Sequence, residues 1–141
     1  MKLQLIAVGH KMPDWINAGY ADYARRMPGD LQLALTEIKP GHRVAGADGA
    51  RARQLEAARI LAAVTPGAVR VVLDERGTQA TTRELAGWLE SWMAEGLTPA
   101  FVIGGADGLD GSVKAGAGKL FGLSRLTLPH ALARVILAEQ L

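Results

Sequence analysis

An apolar run, Phe101-Val102-Ile103, breaks into Gly104-Gly105, with Gly108 and Gly111 close behind. Seven of the chain's 17 glycines fall between Gly104 and Gly122. Glycine loses more backbone freedom on folding than any other residue. Such a density after a strand therefore signals a chain that bends sharply or lies directly against a ligand. The run is not a dinucleotide fingerprint, because it lacks the GxGxxG spacing and follows the fourth strand segment instead of the first. Nor is it a Walker A loop, since no Gly-Lys-Ser/Thr follows. Turn glycines cluster by chance as well, so GGADG alone names no ligand.

Other residues narrow the chemistry. In LDERG, Asp74 and Glu75 stand at the end of an apolar segment. Adjacent carboxylates there are ordinarily solvated or cap backbone N–H groups, and no second partner marks them as an acid/base pair. His10, His42 and His130 are far apart and show no metal-ligand spacing. Ser112 and Ser124 lack a nucleophile-elbow context. Between Lys39 and Arg59 lie five Lys/Arg against two acids, plus His42. That segment reads as a solvated basic face or as a contact for RNA phosphates.

These residues must be held by regular elements, and the chain alternates strand and helix signals. Lys2 to Val8 reads as a first strand. A helix runs from Pro13-Asp14 to about Met27, with Ile16, Tyr20, Tyr23 and Met27 at helical spacing. Leu31 to Ile38 alternates as a half-buried strand, and a second helix spans about Ala50 to Val64. Val69 to Leu73 is a short buried strand that turns out at Asp74 to Gly77. Thr81 and Glu84 have capping-box spacing. The helix they begin carries Leu85, Trp88, Leu89, Trp92 and Met93 as one apolar stripe, which assigns the tryptophans to the core. Pro99 to Ile103 is a further strand, Ser112 to Leu120 a short glycine-weakened helix, and Leu126 to Leu128 a last strand-like segment. A final helix from Pro129 is apolar almost all round, which predicts burial on more than one side, the second against another subunit. Its N-terminus offers free N–H groups, with His130 and Arg134 on one face.

This alternation predicts an α/β fold with a largely parallel sheet, in which ligands sit beyond the carboxyl ends of the strands. Leu73-Asp74, Ile103-Gly104 and Leu128-Pro129 are the marked ends. A chain of 141 residues, 49% hydrophobic and 21% charged, suffices for one domain with a real core. Its apolar runs are too short for a membrane span or a signal peptide. It has no cysteine, which excludes disulfides and thiolate metal sites and fits the cytoplasm. The net charge of +2 permits an RNA partner without demanding one.

MKLQLIAVGHKMPDW, LDERG, IGGADG and LSRLTLPHALARVILAEQL follow one another over the whole chain. In these motifs and their spacing the chain closely resembles the ribosomal RNA large subunit methyltransferase H family, within the SPOUT class. LTLPHxLxRxxLxEQ is the most specific part. The resemblance implies a single cytoplasmic domain over residues 1–141 that forms a homodimer and carries a C-terminal trefoil knot. It implies N3 methylation of a pseudouridine in helix 69 of 23S rRNA on the ribosome, with S-adenosyl-L-methionine as cofactor and no metal. Carried over by motif, the cofactor contacts are Leu73, Gly104, Leu123, Ser124, Arg125, Leu126, Thr127 and Leu128. Family members continue past EQL with a further segment. Against that pattern the last helix is expected to be truncated, with a shallow knot and a weaker dimer, and no catalytic base is assigned. The alternatives are a non-catalytic dimer that binds cofactor and RNA, and a dinucleotide-dependent oxidoreductase. The missing first-strand glycine fingerprint argues against the oxidoreductase.

Overall fold

A computed structural model of the chain describes residues 2–9, 11–41, 49–105 and 108–141. Ten elements alternate along it: β1 (Lys2–Val8), α1 (Asp14–Arg25), β2 (Gln32–Ile38), α2 (Ala50–Ala63), β3 (Val69–Gln79), α3 (Thr82–Ala94), β4 (Pro99–Ile103), α4 (Gly111–Lys114), β5 (Lys119–Gly122) and α5 (His130–Gln140). The strands form one sheet in the order β2-β1-β4-β3-β5, and every pairing is parallel.

Side-chain alternation explains the layers. Leu5 and Ala7 of β1, Val71 of β3, and Phe101 and Ile103 of β4 point to one face. There they pack with Tyr20 of α1, Leu85 of α3, and Ala133 and Leu137 of α5. Their strand neighbours Ile6, Val8, Val72, Ala100 and Val102 point to the other face, against Ala57 and Ile60 of α2 and Val113 of α4. The period of two thus feeds two cores at once. Strands covered on both faces read as near-continuous apolar runs for this reason. Pro99 to Ile103 is buried at every position.

Most predicted helices fall where their patterns put them. Glu84 N donates to Thr81 Oγ1 at 3.1 Å, so Thr81 caps α3. Trp88 and Trp92 are half-buried against the first core, with Trp88 edge-on to Phe121. The last helix buries one stripe, Ala133, Arg134, Leu137 and Ala138, while Leu132, Val135 and Ile136 are partly exposed.

Three expectations need correction. LDERG does not leave the sheet: β3 resumes beyond an irregularity between Leu73 and Thr78, and Thr78 and Gln79 pair with Phe121 and Gly122 of β5. Gly77 makes this possible. A Cβ there would lie 2.7 Å from Gly122 N and the carbonyl carbons of Leu120 and Phe121, so only a glycine admits β5 so closely. The helix expected from Ser112 to Leu120 is a single turn, α4, because Gly116 takes a positive φ of 74° and the chain re-enters the sheet as β5. Leu126 to Leu128 is not a strand, since β5 already ends at Gly122 and no pairing partner lies beyond it.

Candidate functional site

A cavity of about 560 Å³ opens at the carboxyl ends of β3 and β4. Three chain segments meet there. The first is Leu73-Asp74-Glu75 at the bulge of β3. The second is Ile103, Gly104 and Gly105 at the end of β4, with Gly108 and Leu109. The third runs from Leu123 to Pro129 and into α5 through His130 and Ala133. Of the expected cofactor contacts, Leu73, Gly104, Leu123, Ser124, Leu126, Thr127 and Leu128 line the cavity. Arg125 is exposed and is not among its lining residues. The three segments meet in one cavity, although only Ile103-Gly104 is a strand end: Leu73-Asp74 lies at an irregularity within β3, and Leu123 to Pro129 is an irregular loop.

Local chemistry shapes each segment. In the loop, Leu126 N donates to Ser124 Oγ at 3.0 Å, a side-chain-to-backbone turn of the kind serine favours. This bond turns the backbone over the cavity and leaves Leu126 74% exposed at its lip. At the end of β4 the glycines are needed for space. A Cβ on Gly104 would lie 2.7 Å from Leu109 Cγ, and one on Gly105 would lie 3.0 Å from Val8 Cγ1. Gly108, at φ 79°, returns its N–H to Gly105 O at 3.1 Å and closes a tight loop.

Asp74 supplies the fixed charge. Its Oδ2 lies 2.8 Å from Lys114 Nζ, and its Oδ1 accepts from Arg76 N at 2.9 Å. These two bonds, the one from Lys114 foremost, hold its carboxyl below the usual carboxylate range. The side chain is only 9% exposed. The expectation of a solvated or N–H-capping carboxylate is thus half met, since Asp74 caps Arg76 and is also ion-paired. A carboxylate held this way is an orienting anion, not a proton acceptor. Lys114 carried no signal in the sequence, where it is one lysine in a weak helix; only the fold brings it to Asp74 across 40 residues.

The remaining candidates divide. His130 lines the cavity at the first residue of α5. Arg134 does not, although it lies one turn further along. Its side chain is 1% exposed, and its Nη1 meets Glu37 Oε2 of β2 at 2.7 Å. Nearby Tyr20 is pushed up to about 12 by burial, against a smaller opposing pull from Arg134. His10 and His42 lie outside the described residues, as does most of the glycine-containing first half of the basic segment. Among the described residues, no group of three or more His, Asp or Glu is placed to hold a metal. No helix among them is long and apolar enough to cross a membrane.

A parallel sheet clad on both faces, with a small-molecule-sized cavity at the carboxyl end of β4 and the bulge of β3, defines an α/β protein of the kind whose ligands sit beyond strand ends. The family described as "Predicted SPOUT methyltransferase" matches residues 1–141. Over all 141 residues the chain is 96% identical to the Ribosomal RNA large subunit methyltransferase H of Thiobacillus denitrificans, covering 90% of that protein. It is 55% identical to the protein of the same name from Ralstonia pickettii, again over all of this chain and 90% of the relative. The chain belongs to the ribosomal RNA large subunit methyltransferase H family of SPOUT methyltransferases. Among solved structures, a probable methylase family protein from Haemophilus influenzae superposes with a TM-score of 0.50 at 20% identity. That alignment covers 99% of this chain and 64% of the other, and it supports the fold alone.

Proposed function

We propose that the protein transfers a methyl group from S-adenosyl-L-methionine to N3 of a pseudouridine in helix 69 of 23S rRNA, on the ribosome and as a cytoplasmic homodimer. The observation that carries this reading is the cavity itself. Seven residues marked by the family's motifs, from three separate stretches of chain, line one space of about 560 Å³, within the range of small-molecule sites. Membership of a methyltransferase family supports the reaction class, and the names of its close relatives support the RNA acceptor. The family's trefoil knot, through residues 123–141, is part of the proposal.

The residues present suit the donor. Gly104 and Gly105 line the cavity without side chains of their own, packed so closely against Leu109 and Val8 that neither position has room for a Cβ. The Ser124-bent loop supplies further backbone groups, while Leu73, Leu123 and Leu128 supply apolar walls. When bound, S-adenosylmethionine supplies an already activated methyl group. The protein's work is therefore binding and aiming, which holds the reacting atoms in line and excludes water. Asp74, fixed by Lys114, orients polar groups at the floor. The acceptor nitrogen is an imide N–H that must lose its proton before or during attack. No side chain is assigned that proton.

Calorimetric titration of the protein with S-adenosylmethionine tests the donor half. Saturable binding at one site per chain is expected, with no comparable binding of NAD. Absence of donor binding, or tight NAD binding, would sink the reading.

A further inference from the structure

The turn after β1 has features that the methyl-donor cavity does not use. Lys11 has φ 56°, the only positive φ among the described non-glycine residues. A left-handed lysine is strained and persists where the surroundings hold it, and such residues cluster at functional sites. Four residues on, at the first turn of α1, Trp15 is 65% exposed. The chain's other tryptophans, Trp88 and Trp92, pack against the core. An exposed indole beside a strained turn is unexplained by folding.

Its surroundings indicate the partner. β1 and β2 are parallel neighbours, so Lys11 after β1 and Lys39 after β2 lie on the same rim of the sheet, and both are exposed. Neither makes an ion pair among the described residues. Of the acids on that rim, Glu37 is already taken by Arg134, and Asp14 lies in the first turn of α1. An exposed aromatic side chain on a rim that also carries exposed cations has the composition of a stacking platform for an unpaired base, with cations available for its phosphates. A protein-contact core is instead depleted of lysine. The rim also adjoins the donor cavity. Val8, the last residue of β1, packs on Gly105, where a Cβ would approach it to 3.0 Å.

We infer that Trp15, on the rim that also carries Lys11 and Lys39, is the RNA-acceptor platform of this protein, on which a single-stranded base of the target stacks. The inference rests on the RNA methyltransferase reading and adds the surface that binds the acceptor. The test compares wild type with Trp15→Ala, Trp15→Phe and the double variant Lys11→Ala/Lys39→Ala. Pelleting with unmodified ribosomes gives RNA affinity, methyl transfer gives KM and kcat, calorimetry gives donor affinity, and sedimentation gives oligomeric state. Trp15→Ala is expected to weaken ribosome binding and raise KM by about tenfold, the usual scale for losing one stacked base. Trp15→Phe should stay within about threefold of wild type, because it keeps an aromatic face. The lysine pair should weaken binding and flatten its salt dependence. Donor affinity should be unchanged throughout. Ribosome affinity unmoved by Trp15→Ala would overturn the platform. So would a parallel loss of donor affinity, or dissociation of a dimer, which would assign the face to a second copy. A wild type that binds ribosomes but transfers no methyl would defeat the proposed reaction, while the pelleting comparison would still decide the role of Trp15.

Discussion

Asp74 and Ser124 act on the same cavity through different physics. Ser124 bends a loop with one hydrogen bond to Leu126 N. Its replacement by alanine removes that bond and lets the loop relax. Ser124→Ala should raise the donor Kd by roughly 3–10-fold, matching about 1 kcal/mol of hydrogen bond, with little change in thermal stability. Titration calorimetry and a melting curve check both halves. Asp74 acts by charge. Its carboxyl is held below the ordinary range by Lys114 and the Arg76 N–H. Its stabilising effect is therefore complete above the unfolded-state value of about 3.9 and is lost as pH falls through the lower, folded value. The Tm difference between wild type and Asp74→Asn should stay constant from neutral pH to about pH 5 and shrink only in stronger acid. A difference that vanished near neutrality would contradict the ion pair. Of these residues, Ser124 was legible through its motif, while Asp74 was read only as a solvated or N–H-capping carboxylate at a strand end that the structure moves to Gln79. Lys114 was not, because an ion pair between distant positions leaves no local pattern.

Among the elements, β3 and β5 carry the lesson about what the sequence hides. Helices α1, α2 and α3 were readable from apolar spacing and, for α3, the Thr81 cap, since those signals are local. The long β3 was not, because its second half, DERGTQ, is polar and resembles a turn. It is a strand only because β5 pairs with it beyond the bulge. Likewise KLFG is too short to stand out from the glycine-rich stretch around it, and its strand identity is conferred by its partner. Gly77 is the hinge of this arrangement. Adding one methyl there meets backbone of β5 at 2.7 Å, and backbone cannot rotate away as a side chain can. Gly77→Ala should therefore destabilise the fold by about 1–3 kcal/mol, the usual range for overpacking, and weaken donor binding as the bulge at Asp74 shifts. Urea unfolding measures the first effect. An unchanged midpoint would show that β5 is not held as described.

At the scale of the whole molecule, β/α alternation made the parallel α/β class readable, and two faces of apolar residues on the central strands β1, β4 and β3 explain why helices cover both sides. Strand order is another matter. That β1 lies between β2 and β4, and that β3 lies between β4 and β5, is settled by long-range packing with no signature in any one segment. The site followed the same division. Its three segments were marked by glycines and by a motif, but their meeting in one cavity belongs to the folded sheet. The central proposal is that the chain methylates ribosomal RNA, with the methyl donor in the cavity and the acceptor on the neighbouring rim. The direct measurement uses methyl-labelled S-adenosylmethionine and ribosomes that carry the pseudouridine but lack its methyl group. Label should appear in 23S rRNA, at N3 of a helix 69 pseudouridine, at no more than one methyl per ribosome. No transfer, or label at another nucleotide, would contradict it.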